Sequence, residues 1–163
     1  MDARIRIASG CIVFGPTQSR KTEWCKRLIL CSKDIFDEKI NKIYWYYGTW
    51  NPGLMVINEL KVFDREGERV VISIREGIPE KMTEIEPNSI VIIDDNMDAD
   101  LSDMFSVWTH HVPCFIVKIT QNIFKKKTDR TTKINSQYII LMKNPADLNA
   151  IQTIASQMRK PWI

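Results

Sequence analysis

No apolar run in this 163-residue chain is long enough to span a bilayer, so a helical membrane protein is not expected. Cysteine is sparse. Cys11, Cys25, Cys31 and Cys114 show no paired spacing, which argues against a disulfide framework or a zinc site. The expectation is four reduced, buried thiols in an intracellular protein. Met1-Asp2-Ala3-Arg4 leads straight into a strand-like run, so no secretory leader is expected. No internal repeat or low-complexity tract interrupts the chain. The formal net charge of +3 is too mild to mark a nucleic-acid binder by itself. A chain that is 44% hydrophobic and 26% charged is not a disordered one, and its length suffices for one domain with its own core.

Only six glycines occur, and the most informative position is one where glycine is missing. The apolar run Cys11-Ile12-Val13-Phe14 ends at Gly15. A polar loop, Pro16-Thr17-Gln18-Ser19-Arg20, leads to Lys21-Thr22 and a helix-compatible segment. This is the strand–loop–helix order of a phosphate-binding P-loop, or Walker A motif. In such a loop the backbone N–H groups and the positive end of the following helix converge on one spot that suits a polyphosphate. Lys21 would reach the outer phosphates and the Thr22 hydroxyl would hold a magnesium ion, so ATP and Mg2+ are the expected cofactors. The pattern asks for glycine just before the lysine, because the loop curls tightly there and its backbone approaches the phosphates. This chain has Arg20, which adds bulk together with a cation that suits phosphate. The alternative is a strand–turn–helix junction with a chance Lys-Thr.

The other segments alternate. Residues 4–14 read as a first strand, and 22–31 as a helix with Trp24, Leu28 and Cys31 on one face. Residues 42–47 read as an aromatic strand closed by Gly48. Trp50 and the Asn51-Pro52-Gly53 turn offer a base-stacking surface or, more simply, core aromatics at a strand end. A short strand is expected at 70–74, then a break at Gly77-Ile78-Pro79 before a Glu-rich stretch. Residues 97–111 read as a helix with Met104, Phe105 and Trp108 toward the core. His110 and His111 at its end do not face the same way, which argues against a shared metal. Strands at 114–120 and 138–142 follow. Asn144-Pro145 turns the chain, and Asp147 caps a last helix through Met158. The alternation predicts an α/β fold, a mostly parallel sheet with helices on both faces.

Ser89-Ile90-Val91-Ile92-Ile93-Asp94-Asp95 is a buried-strand pattern that ends in two acids at its carboxyl edge, where ligands of open α/β sheets sit. After a P-loop, this is the expected Walker B partner. Asp94 would bind magnesium through water, and Asp95 would orient the attacking water or take its proton. A solvated strand end is the alternative. Gln121, after the strand 114–120, is a candidate γ-phosphate sensor, with a plain turn as its alternative. Lys125, Lys126, Lys127, Arg130 and Lys133 form the one dense basic stretch, read as a loop. It suits a DNA backbone, or it offers Arg130 to a neighbouring subunit's site, or it is a solvated charge run.

The residues Gly15-Pro16-Thr17, Ser19, Lys21-Thr22, Ile92-Ile93-Asp94-Asp95, His110-His111, Gln121-Asn122, Phe124, Arg130, Asn135, Tyr138 and Lys143-Asn144-Pro145 occur in that order. In this the chain resembles the genome-packaging ATPases of Maverick/Polinton transposons and related DNA viruses. It is similar to the poxvirus packaging ATPase, within the FtsK–HerA division of P-loop motors. The resemblance implies a three-layer RecA-like P-loop NTPase core that forms a homo-oligomeric ring and moves double-stranded DNA into a capsid at the expense of ATP. It implies capsid or portal partners, and residence in the host cytoplasm or nucleus or in a virion. By it, Lys21, Asp95, Gln121 and Arg130 are catalytic and Thr22 and Asp94 hold the metal. Arg130 would act in trans. Three positions depart from the pattern: Arg20 for the loop glycine, Thr109 for a serine before the two histidines, and Ala146 for an arginine after Asn-Pro. Two rival readings stand beside the motor. One is a non-enzymatic module that binds nucleotide or DNA and assembles, which Arg20 favours. The other is a small nucleotide kinase, against which the lack of an arginine-rich lid segment speaks.

Overall fold

The computed structural model describes residues 4–95, 99–121, 127–143 and 148–158, apart from the side chains of 127–129, 150 and 158. Strand β1 (Ser9–Phe14) is buried along its whole length, as its apolar sequence demands. Helix α1 (Lys21–Leu30) and the single turn α2 (Ser32–Ile35) follow. Next come β2 (Lys42–Tyr47), α3 (Gly53–Asn58), β3 (Val62–Phe63) and β4 (Arg69–Glu76). A 3-10 turn (Met82–Glu84) precedes β5 (Ser89–Asp94). A π-helical segment (Met104–Trp108) runs into α4 (Thr109–His111), then β6 (Cys114–Thr120). Helix α5 (Lys127–Ile134), β7 (Tyr138–Leu141) and α6 (Leu148–Met158) complete the described chain.

The seven strands form one sheet in the order β3-β4-β2-β5-β6-β1-β7. Every pairing is parallel except β3 with β4. Alternate residues of the central strands enter two separate cores. Val13, Trp45, Ile92 and Val117 pack with Cys25, Leu28 and Ile29 of α1 and Leu54 and Ile57 of α3. Ile12, Tyr44, Val91 and Ile116 pack on the other face with Met104, Phe105 and Ile154 of α6. Helices therefore cover both faces, and the α/β expectation of a mostly parallel sheet holds. Gly10 has no side chain for a packing reason: a Cβ there would lie 2.5 Å from Cδ1 of the Phe105 ring. Among the described residues no helix is long and apolar enough to cross a membrane.

Several expectations are corrected. The first strand begins at Ser9 and not at residue 4; Ile5 makes only an isolated bridge to Phe36. On α1 the buried positions are Lys21, Cys25, Leu28 and Ile29, and Trp24 packs half-buried against the core as expected, while Cys31 is exposed because the helix ends at Leu30. Burial pushes the Cys11 and Cys114 thiols up to about 12, so these two are inert. The helix expected from Met97 begins later. Asp100 accepts from the Ser102 N–H (3.0 Å) and hydroxyl (2.6 Å), which caps the first turn there. Met97 itself lies outside the described residues, as do Asn144, Pro145, Ala146 and Asp147.

Candidate nucleotide-binding cleft

The chain leaving β1 passes over the α1 face, and the chain leaving β6 returns over the opposite face, where α5 lies against the π-helical segment. Neighbouring strands whose connections part in this way open a crevice at their carboxyl ends. A cleft of about 510 Å3 lies there. It is lined by the loop residues Thr17 to Thr22, by Asp94 and Asp95 after β5, and by Gln121 after β6.

The loop has the tight curl the sequence pattern asks for. Gln18 (φ 62°) and Arg20 (φ 66°) both adopt the left-handed conformation. Arg20 does so as the residue capping α1, at the position where glycine was expected. Asp95 (φ 55°) is also left-handed, so three of the four described non-glycine residues with positive φ line this one cleft. Such conformations are costly, and they concentrate where function imposes them. Gly15 is held by a different constraint. A Cβ on it would lie 2.5 Å from the Met142 Cβ and 2.8 Å from the Ser19 hydroxyl. Its N–H donates to the Thr120 carbonyl at 3.2 Å, which fixes the loop's start to the end of β6.

Lys21 is only 8% exposed. Its ammonium donates to the carbonyls of Gly15 (2.8 Å) and Pro16 (2.6 Å). Burial pushes its pKa below the ordinary lysine range, and the Asp94 carboxylate opposes that shift. Asp94 is pushed up to about 6, by burial first and then by the neighbouring charge of Asp95; Lys21 pulls it back. Lys21 and Asp94 thus share one electrostatic site although 73 positions (94 − 21) separate them in sequence. The Thr17 hydroxyl donates to Gln121 Oε1 at 2.9 Å, joining the loop to the end of β6.

Whether a magnesium polyphosphate suits these residues is tested by the donor set. The Ser19 hydroxyl is buried with no hydrogen-bond partner in the loop. Thr22 and Asp94, a hydroxyl and a carboxylate, are oxygen ligands of the kind magnesium takes. The residues fit.

Not every expected residue gathers here. Arg130 is exposed on α5 and does not line the cleft, nor do the exposed His110 and His111. The basic stretch expected as a loop is helical from Lys127 onward. Lys133 is half-buried and donates to Gln157 Oε1 on α6 at 2.9 Å. Lys125, Lys126, Asn122 and Phe124 lie outside the described residues, as does the Lys127 side chain. Sequence reasoning also left five lining residues out of the site: Glu23, Lys26, Asn51, Ile119 and Thr120. Glu23 and Lys26 pair at 3.1 Å across one helical turn, an i,i+3 signal that was legible. Asn51 accepts from the Gly53 N–H at 3.0 Å and so starts α3, which carries the loop after β2 to the cleft. Trp50 is no core aromatic. It is 59% exposed because β2 ends at Tyr47, whereas Tyr44, Trp45 and Tyr46 within that strand are buried.

Comparison with protein-family models finds no match for this chain, and comparison with curated proteins finds none.

Proposed function

We propose that this chain is a P-loop NTPase with a RecA-like core that binds ATP with magnesium and hydrolyses it. The observation that carries the reading is the convergence of Lys21, Asp94 and Gln121, carried by segments at or after the ends of three different strands, on one cleft. The strand order supports it: β6, which Gln121 directly follows, lies between the loop strand β1 and the acid strand β5. In this reading Lys21 neutralises charge on the outer phosphates, and the backbone N–H groups of the loop orient them. Thr22 and Asp94 hold the magnesium, which supplies further charge neutralisation when bound. Asp95, exposed at the cleft, orients a water and accepts its proton, and Gln121 positions the same water. The chemistry asked of the protein is positioning and electrostatic stabilisation.

The finer reading, an ATP-driven double-stranded-DNA packaging subunit that works in a ring, rests on the motif resemblance. Arg130, exposed and outside its own cleft, suits a role in a neighbouring subunit's site. A second reading is a nucleotide- or DNA-binding assembly module with impaired hydrolysis; the added bulk of Arg20 in place of glycine favours it. Steady-state ATP hydrolysis with and without double-stranded DNA separates them. Turnover that DNA stimulates supports the motor, and ATP binding without turnover supports the module. Turnover unaffected by Lys21→Ala would remove the cleft from the chemistry.

A further inference from the structure

We propose that Arg20 is a second polyphosphate-binding cation of the loop, one that favours a triphosphate over a diphosphate. The inference rests on the nucleotide-cleft reading and sharpens it. An arginine in the glycine position can have two consequences: it deforms the loop, or it leaves the loop intact and adds a charge. The backbone decides between them. Arg20 holds φ 66° and ψ 27°, the region glycine enters freely, and its carbonyl still accepts the first helical bond, from the Trp24 N–H at 2.9 Å. The curl is kept, with local strain.

The side chain is then available. Arg20 is exposed and lines the cleft. Among the described residues its guanidinium has no hydrogen-bond or ion-pair partner. The other cations of the cleft are engaged: Lys21 with the Gly15 and Pro16 carbonyls, Lys26 with Glu23. Two acids, Asp94 and Asp95, face the same space and disfavour each further phosphate charge. A free guanidinium beside them offsets that repulsion, and its fork of donors matches phosphate oxygens. The benefit grows with the charge on the ligand, so it selects for phosphate number.

The test is titration of the wild-type chain, Arg20→Gly, Arg20→Lys and Lys21→Ala with ATP, ADP, inorganic tripolyphosphate and inorganic diphosphate, beside thermal melts. Arg20→Gly is expected to melt about 2–4 °C higher, because glycine relieves the left-handed strain. It is expected to lose about tenfold in the preference for tri- over diphosphate, in both the nucleotide and the inorganic pair. Arg20→Lys should keep most of that preference. An unchanged or increased preference in Arg20→Gly, with Lys21→Ala still weakening binding, would overturn the proposal and leave the cleft reading standing. A loss confined to the nucleotides would also overturn it, since the effect would not be read at the phosphates. Absence of binding to all four ligands by folded wild type and folded Arg20→Gly would overturn both.

Discussion

Lys21 at the head of α1 is buried and Lys133 near the end of α5 is half-buried, and burial is the first cause that lowers the pKa of each. The second cause differs. At Lys21 a carboxylate, Asp94, opposes the shift; at Lys133 another cation, Arg130, adds to it. The first lysine stands among opposite charges gathered from distant segments. The second stands beside another cation of its own helix and donates to Gln157 of α6. A site of mixed charge suits a magnesium polyphosphate, whose two charges it mirrors. A pair of neighbouring cations offers a polyanion contacts but no chemistry.

Substitutions test how separate the two regions are. Asp95→Asn is expected to cut turnover by about 10^2–10^4 while ATP affinity changes only a few-fold. Single-turnover kinetics beside a binding titration measures this, and a variant that still turns over normally takes Asp95 out of catalysis. Lys21→Ala should weaken ATP binding by about 10^2. Lys133→Ala should leave it alone, and equal losses in the two would erase the distinction.

Asp94→Asn reads the cleft through stability. The carboxyl is raised from 3.8 to about 6 in the folded chain, so between those values the folded state holds a proton that the unfolded state has released. Stability contributed by this group is therefore fully present below about pH 4 and falls as pH rises to about 6. Asp94→Asn should remove that fall and gain roughly 2–3 kcal/mol at pH 7. Urea unfolding at pH 4, 5, 6 and 7 checks it; parallel pH dependence in both proteins would assign the slope to other groups. The smallest effect belongs to the basic stretch. Each of Lys127→Glu and Lys133→Glu should lower the slope of log K against log salt for double-stranded DNA by about 1. An unchanged slope makes the helix a solvated face.

Much of this was legible beforehand, and the reason is burial. Residues 42–47, 89–94 and 114–120 are central strands, covered on both sides, and their unbroken β-branched and aromatic runs mark them without ambiguity. That the loop and the two acids meet in one cleft was legible because a phosphate-binding pattern fixes residue types and spacing along the chain. What escaped was marginal in length or set by tertiary packing. The two-residue strand β3 has no period to read. Helix α3 hides behind Asn-Pro-Gly, which also spells a turn. The π-helical run at Met104–Trp108 has the composition of an ordinary helix, and nothing local distinguishes its wider turn. Asn51 reaches the cleft only because β2 lies beside β5, a pairing the linear chain does not announce.

The position of β1 in the sheet has a consequence for how the protein is made. The loop strand emerges from the ribosome well before its partners, which come late: Phe115–Thr120 on one side and Tyr138–Leu141 on the other. Until those segments are translated, Cys11–Phe14 is an apolar strand with two open edges, and the loop after it has no frame. Pairings this distant in sequence slow folding, since the intervening chain must first be closed into a loop. A nascent chain stopped between residues 95 and 114 carries every residue of the loop and both acids but has no cleft to hold them in.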